Sequence, residues 1–216
     1  METISKVFNM DCLAYMKTMP DKYFDLVISD PPYGLPTKST SGSGKLKNRT
    51  LNRADMEWDV APTKEYFDEL FRVSKNQIIW GGNYFDLPPC RCVVVWDKCQ
   101  PWENFSQVEI AWTSFDMPAK LFRFDNRSWS KWHPTGKPKE LYAWLLKTFA
   151  KEGDKVFDSH LGGGTSRIAA YKMGFDFYAC EISKEYYDLQ ETHFQEECMG
   201  VSQTPDGRTT VQLSLF

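Results

Sequence analysis

The run Phe24-Asp25-Leu26-Val27-Ile28-Ser29-Asp30-Pro31-Pro32-Tyr33-Gly34 reads as a compact buried strand, Phe24 to Ser29, driven into two consecutive prolines. Neither proline has an N–H to give a neighbouring strand, so ladder pairing has to stop there. A second short strand, Lys155 to Asp158, runs into Ser159-His160-Leu161-Gly162-Gly163-Gly164-Thr165, and glycines in such a turn let the backbone pass close to a ligand. Two strands ending in loops of special composition set the frame for the rest of the chain.

Outward from these runs, hydrophobic periodicity and turn residues predict alternating elements. Helices are expected over Asp11–Met19, Thr63–Ser74 with Thr63 as N-cap, Lys139–Ala150 behind Pro138, Thr165–Met173, and Ser183 to about Cys198. Further strands are expected over Gln77–Trp80, Cys92–Trp96, Val108–Ser114 and Phe175–Cys180. The alternation predicts an α/β fold, a doubly wound and mostly parallel sheet covered on both faces. Ligands of such sheets bind beyond the C-terminal ends of the strands, which is where both special loops fall.

The 216 residues suffice for one sizeable domain, and 42% hydrophobic residues supply its core. A net charge of −3 excludes a protein that coats nucleic acid with its whole surface, so such a contact needs a local basic patch. The six cysteines form no CxxC pair and the three histidines are far apart. That spacing argues against a metal site and for reduced thiols in a cytoplasmic protein. Neither a leader-like apolar segment at the N-terminus nor a membrane-spanning run is expected.

Asp30-Pro31-Pro32-Tyr33 suits one kind of chemistry. An exocyclic amino nitrogen of adenine or cytosine is conjugated into its ring and is a poor nucleophile. Two acceptors placed about its hydrogens free the lone pair; Asp30 offers a carboxylate, and Pro31 a carbonyl held rigidly with Pro32 behind it. Tyr33 offers a ring to stack on a base taken out of the duplex. The alternative is a strand ending in a proline turn with a capping aspartate. The tetrapeptide, with the strand leading into it, resembles the catalytic motif of amino-group DNA methyltransferases. Asp in first place is commoner among members acting on adenine N6, and Ser among those acting on cytosine N4.

The glycine loop, from Asp158 through His160, Gly162 and Gly164 to Thr165, is similar to the cofactor motif of that family, usually Asp-Pro-Phe-x-Gly-Ser-Gly-Thr. Here Ser159, His160 and Gly163 replace Pro, Phe and Ser. Glu181, followed by Ile182, ends the next strand at the distance from which an acidic residue holds ribose hydroxyls in doubly wound sheets. His133-Pro134-Thr135-Gly136-Lys137-Pro138 resembles a family segment near the methionine end of the cofactor, which makes His133, Thr135 and Lys137 candidates. Asn9-Met10-Asp11-Cys12 resembles a segment whose acidic residue contacts the cofactor's adenine; for Asp11 the alternative is a helix cap. The resemblance covers roughly residues 1–198. With the catalytic motif ahead of the cofactor motif, it is to the beta group of these enzymes, a motif order that favours DNA over RNA or protein. It implies S-adenosylmethionine as cofactor, no metal, and direct transfer to nitrogen without a covalent enzyme intermediate.

Residues 34–59 form a basic loop: Lys38, Lys45, Lys47, Arg49 and Arg53 fall between Gly34 and Arg53 with no acidic residue among them. They are the expected phosphate contacts to double-stranded DNA. The aromatic-rich segment 97–132 stands where target recognition resides in this group, and its small size is compatible with a homodimer. Residues 1–199 are thus the expected methyltransferase domain and 200–216 a flexible tail. The tail's end, Gln212-Leu213-Ser214-Leu215-Phe216, resembles the peptide with which bacterial replication and repair proteins dock on the DNA sliding clamp; Gln212, Leu213, Leu215 and Phe216 are the candidate contacts. The expected activity is adenine-N6 methylation of DNA by a bacterial or phage enzyme of the restriction-modification kind. Cytosine-N4 methylation, and a catalytically inactive module binding DNA and clamp, are the alternatives.

Overall fold

The computed structural model describes residues 3–35, 60–101, 106–129, 136–203 and 209–211. In chain order the elements are β1 (Ser5–Phe8), α1 (Cys12–Lys17), β2 (Phe24–Ser29), α2 (Lys64–Val73), β3 (Ser74–Trp80), a 3-10 turn (Gly82–Tyr84), β4 (Val93–Asp97), β5 (Val108–Thr113), β6 (Lys120–Arg123), α3 (Lys139–Phe149), β7 (Lys155–Asp158), α4 (Thr165–Lys172), β8 (Asp176–Cys180), α5 (Lys184–Met199), β9 (Val201–Gln203) and β10 (Thr209–Val211).

Eight strands form one sheet in the order β1-β8-β7-β2-β3-β5-β4-β6. Pairing is parallel from β1 through β3, antiparallel where β5 joins β3 and β4, and parallel again between β4 and β6. The expected mostly parallel, doubly wound sheet is therefore present. β2 and β7 are neighbours, with Leu26 beside Val156 and Val27 beside Phe157. From this seam the chain builds outward in both directions, and at such a switch point the ligand-binding crevice is expected between the loops that follow the two strands. The strand pair places the Asp30 motif beside the glycine loop.

The side-chain alternation of the strands divides the core between the two faces of the sheet. Ile28, Ile78, Trp80, Val156, Phe177 and Ala179 pack with Leu141, Leu145 and Phe149 of α3 and Ala169 and Ala170 of α4. Val27, Ile79, Phe157, Tyr178 and Cys180 pack with Tyr15 and Met16 of α1 and Tyr66, Phe67, Leu70 and Val73 of α2. Tyr66, Leu70 and Val73 recur at helical spacing, which is why α2 seals this face with one stripe. Its first turn is capped as expected, the Thr63 side chain accepting from the Tyr66 N–H.

The sequence reading misses the two edge strands, β1 and β6. It also differs from the structure after Gly200, where it predicts a flexible tail. Val201–Gln203 and Thr209–Val211 instead pair as an antiparallel ladder, Val211 opposite Val201, following the left-handed C-cap Gly200. The clamp-like end, Gln212 to Phe216, lies outside the described residues. No helix among the described residues is long and apolar enough to cross a membrane.

Candidate active site

Asp30 leaves the C-terminal end of β2 and is engaged on both oxygens. Its Oδ1 accepts from the Tyr33 hydroxyl at 2.8 Å, and its Oδ2 lies 2.5 Å from Lys137 Nζ. The same ammonium is 3.1 Å from Oε2 of Glu109, which β5 delivers, and the other oxygen of Glu109 pairs with Lys98. The four charges alternate, Lys98, Glu109, Lys137, Asp30. Lys137 has a side chain only 2% exposed, and its ammonium sits 5.0 Å from the centre of the Trp80 ring.

A lysine so deeply buried is stable as a cation only when opposite charges surround it. Burial works to lower the Lys137 pKa, but Asp30 and Glu109 outweigh it and raise it above the ordinary lysine value. Burial likewise works to raise the Glu109 carboxyl, yet Lys137 and Lys98 hold it down to about 2. For Asp30 burial prevails: its carboxyl is raised above the usual range, with Lys137 opposing and Glu109 assisting. Asp30 is the more basic of the two carboxylates and the one on the motif loop.

The Tyr33 ring is fixed from several sides. It stacks on Tyr84 at 5.1 Å between centroids and 25° between planes, and Phe85 meets it edge-on. Gly81 carries a φ of +69°, and a Cβ there would lie 2.3 Å from a Tyr33 ring carbon. Glycine is thus required both by the backbone turn and by the ring's approach. Tyr84 is 48% exposed, so one ring of this stack is open to solvent.

On the neighbouring strand, Asp158 ends β7 and turns inward. Its Oδ2 accepts from the Ser166 hydroxyl at 2.6 Å and its Oδ1 from the His160 N–H at 3.0 Å. Burial nevertheless pushes the Asp158 carboxyl up to about 7. Asp158 therefore braces the turn from inside. Gly162 and Gly164 have φ of +56° and +87°, and a Cβ at Gly164 would lie 2.9 Å from Gln190 Cβ. Thr165 begins α4 and donates its hydroxyl to the Lys137 carbonyl at 2.8 Å, joining the glycine loop to the segment that carries Lys137.

Two of the three residues that depart from the family pattern, Ser159 and His160, join one hydrogen-bond network. The hydroxyls of Ser29, Tyr66 and Ser159 make a triangle with sides of 2.7, 2.7 and 2.8 Å. Ser159 also meets His160 Nδ1 at 2.9 Å, and His160 Nε2 faces Cys12 Sγ at 3.9 Å. Burial lowers the His160 pKa to about 4, so the ring is neutral at pH 7.

The segment before α1 joins the same crevice. Asn9 Nδ2 donates to the Glu181 carbonyl at 2.8 Å and to that of Ile182 at 3.2 Å. Glu181 accepts from the Gly162 N–H on Oε2 and the Ser183 N–H on Oε1, each at 2.8 Å, and so spans the glycine loop and the start of α5. Ile182 beside it is 68% exposed, an open apolar side chain at a strand end. Asp11 caps α1, its side chain accepting from the Ala14 N–H at 2.8 Å. The capping alternative for Asp11 is thus realised, with one carboxylate oxygen left for another partner.

The structure brings Asp30, Tyr33, Lys137, Asp158, His160, Gly162, Gly164, Thr165, Glu181 and Cys12 to one end of the sheet. Lys137, expected at the cofactor, touches the Asp30 carboxylate. His133 and Thr135, and the five cations Lys38, Lys45, Lys47, Arg49 and Arg53, lie outside the described residues. Sequence reasoning misses Lys98, Glu109 and Tyr66. Glu109 had a signal, a lone carboxylate in the otherwise apolar run Val108-Glu109-Ile110-Ala111-Trp112.

Residues 88–192 match a family model described as DNA methylase, of the N6/N4 methyltransferase kind. That stretch contains Lys98, Glu109, Lys137, the glycine loop and Glu181, while Asp30 precedes it. The chain is 23% identical over 89% of its length to the type II methyltransferase M.HinfI of Haemophilus influenzae, covering 69% of that protein. It is 21% identical over 87% of its length to the type II methyltransferase M2.DpnII of Streptococcus pneumoniae, covering 88% of that protein. Among solved structures, a DNA modification methylase of Thermus thermophilus in complex with S-adenosyl-L-methionine is similar in fold, with a TM-score of 0.60, 18% identity, and coverage of 91% of this chain and 97% of that one. So is the cytosine-N4-specific PvuII DNA methyltransferase, with a TM-score of 0.60, 15% identity, and coverage of 88% and 86%. The matched segment and the relatives are thus those of DNA methyltransferases of the N6/N4 amino-group kind, and the chain shares their fold.

Proposed function

We propose that the protein transfers the methyl group of S-adenosylmethionine to N6 of an adenine flipped out of double-stranded DNA. The observation that carries this reading is the Asp30 carboxylate, held beside a glycine loop and Glu181 at the seam of a doubly wound sheet. Each Asp30 oxygen has one bond to the protein and a further lone pair. An amino group of a base can therefore be accepted without dismantling the site. The Pro31 carbonyl is the second acceptor, and Tyr33 and Tyr84 present the aromatic surface on which a base stacks.

The cofactor's own contribution is an activated methyl group on a sulfonium. The residues present fit it. Glu181 would hold the ribose hydroxyls with its carboxylate, the exposed Ile182 beside it would meet the adenine ring, and the positive-φ glycines leave the loop free of side chains. Asp11 and Cys12 line the α1 side of the crevice. His133 and Thr135 are assigned to the cofactor by motif.

DNA is held, in this reading, by phosphate contacts from Lys38, Lys45, Lys47, Arg49 and Arg53. Gln212, Leu213, Leu215 and Phe216 are proposed to dock on a bacterial sliding clamp. The second reading is cytosine-N4 methylation, favoured by the similarity in fold to the cytosine-N4-specific PvuII enzyme. Labelled S-adenosylmethionine incubated with unmethylated DNA, followed by digestion to nucleosides, separates the two. Label in N6-methyladenosine supports the proposal, and label in N4-methylcytosine supports the second reading. Cofactor binding with no transfer to any DNA contradicts both.

A further inference from the structure

Lys137 is buried between two carboxylates that belong to different parts of the fold. Asp30 hangs from the end of β2, whereas Glu109 is anchored in β5 and paired on its far side with Lys98. Lys137 itself is held by its backbone, whose carbonyl accepts from Thr165 at the start of α4. Its ammonium has Asp30 at 2.5 Å, Glu109 at 3.1 Å, Tyr33 Oη at 3.5 Å and the face of Trp80 around it. Apolar side chains in place of the whole charged cluster would pack the same space without the cost of burying charge, so packing alone does not account for it.

From this geometry we infer that Lys137 is a positioning residue for the methyl transfer: shared between Asp30 and Glu109, it aims the Asp30 carboxylate and sets how strongly that carboxylate accepts. The inference rests on the proposed amino-group methylation. In the reaction, the base nitrogen forms a bond to the transferred methyl carbon, and the cofactor's sulfur–carbon bond breaks with its electron pair going to sulfur. The nitrogen becomes cationic and sheds one of its protons, which Asp30 or solvent accepts. Lys137 keeps Oδ2 occupied by a fixed cation, so the carboxylate cannot rotate, and the amino group meets the lone pairs that face the crevice.

Glu109 competes for the same ammonium. With Glu109 ionised, Lys137 is only partly committed to Asp30, and Asp30 remains a better acceptor than in an isolated ion pair. The charged and titratable groups around Asp30 are Lys137 and Glu109, with Lys98 behind, Tyr33 on its own loop, and Tyr142 and Asp158 from α3 and β7. Removal of either partner therefore has an effect of definite sign. Loss of the Lys137 charge leaves two carboxylates facing each other, which favours a shared proton and moves activity loss to higher pH. Loss of the Glu109 charge gives Asp30 the whole ammonium and moves the loss to lower pH.

The test is the pH profile of the methylation rate for wild type, Lys137→Met, Lys137→Arg and Glu109→Gln, with S-adenosylmethionine affinity and thermal melting measured on each protein. The expected result is an acid limb displaced upward by about one pH unit or more in Lys137→Met and downward in Glu109→Gln, with at least a tenfold lower plateau in Lys137→Met. Lys137→Arg should restore most of the limb, and cofactor affinity should stay within about threefold throughout. Glu109→Gln keeps the shape of the side chain, so it carries the test even if Lys137→Met does not fold. Acid limbs that coincide with wild type in Glu109→Gln overturn the inference while leaving the methyltransferase reading in place. A large loss of cofactor affinity in Lys137→Arg with an unmoved limb also overturns it, and returns Lys137 to the cofactor. A wild-type protein that transfers no methyl group to DNA fails the underlying reading, and the inference with it.

Discussion

The hydroxyls of Ser29 and Ser159 meet at 2.7 Å, one residue before Asp30 on β2 and one residue after Asp158 on β7. The link joins the strand end that carries the proposed acceptor carboxylate to the glycine loop proposed to receive the cofactor. Tyr66 of α2 closes it into a triangle, and His160 extends it to Cys12. Three hydroxyls can each donate once and accept once around such a ring, so the buried oxygens satisfy one another. A ring that uses each hydroxyl proton once leaves Ser159 only a lone pair for His160, which calls for the tautomer with its proton on Nδ1 and leaves Nε2 to face the Cys12 thiol.

Ser159 has the most partners in this network, and its truncation should cost the most. Ser159→Ala leaves three polar groups each short of one bond, and should destabilise the fold by about 1–3 kcal/mol. Tyr66→Phe leaves the Ser29–Ser159 contact in place and should cost about 1 kcal/mol or less by the same reasoning. Urea unfolding of the two variants checks the order.

The neutral His160 gives a pH dependence of definite sign. An unfolded histidine titrates near 6.5, whereas burial lowers His160 to about 4. Between these values the unfolded chain binds the extra proton. This contribution to stability is thus intact above about pH 6.5 and is lost as pH falls toward 4. Asp158, raised to about 7, acts in the opposite direction over a similar range. His160→Gln should therefore leave stability falling as pH rises from 4 to 7, more steeply than in wild type. Thermal melts at half-unit pH steps measure the difference.

How much of this is legible in the sequence depends on where each residue's partner comes from. β2 and β7 are legible to the residue, because apolar runs end at prolines in one case and at Ser159-His160 and the glycines in the other. β1 and β6 are not: Ser5–Phe8 and Lys120–Arg123 are four residues each, mix charged with apolar side chains, and pair on one side only. The acceptor motif, the glycine loop and Glu181 are local patterns with local reasons. Lys137 is found by motif, but its contacts with Asp30 and Glu109 are not legible, since the protein partners of a lysine are set by the strand order that brings β2, β3 and β5 together. The hydroxyl triangle joins residues 29, 66 and 159 and has no sequence period at all.

Gly81 has the tightest steric requirement in the site. Gly81→Ala places a methyl group into the Tyr33 ring and must hold a φ of +69°. Strain of this kind costs about 1–3 kcal/mol, and here it displaces the stacking ring. Methylation should fall at least tenfold while cofactor affinity changes little, which parallel rate and calorimetric measurements establish.

Glu181 should show the converse pattern. Glu181→Ala removes a carboxylate that accepts two backbone N–H bonds and faces the proposed ribose site. Hydrogen bonds to charged groups contribute about 1.5–3 kcal/mol, so cofactor affinity should fall roughly ten- to a hundredfold. Calorimetry detects this directly, and unchanged affinity would remove Glu181 from the cofactor site.

Neutralising Lys38, Lys45, Lys47, Arg49 and Arg53 together should weaken DNA binding and flatten its salt dependence. Every phosphate that a cation no longer neutralises reduces the slope of log affinity against log salt by about 0.9. Fluorescence anisotropy at several salt concentrations gives the slope, and an unchanged slope would remove the stretch from the DNA interface.

The central claim is that Asp30 accepts the target amino group, and single-turnover methylation by Asp30→Ala tests it most directly. With saturating labelled S-adenosylmethionine and unmethylated DNA, the account predicts cofactor binding close to wild type and a methylation rate reduced at least a thousandfold. A variant that binds the cofactor and still methylates DNA within tenfold of the wild-type rate would contradict it.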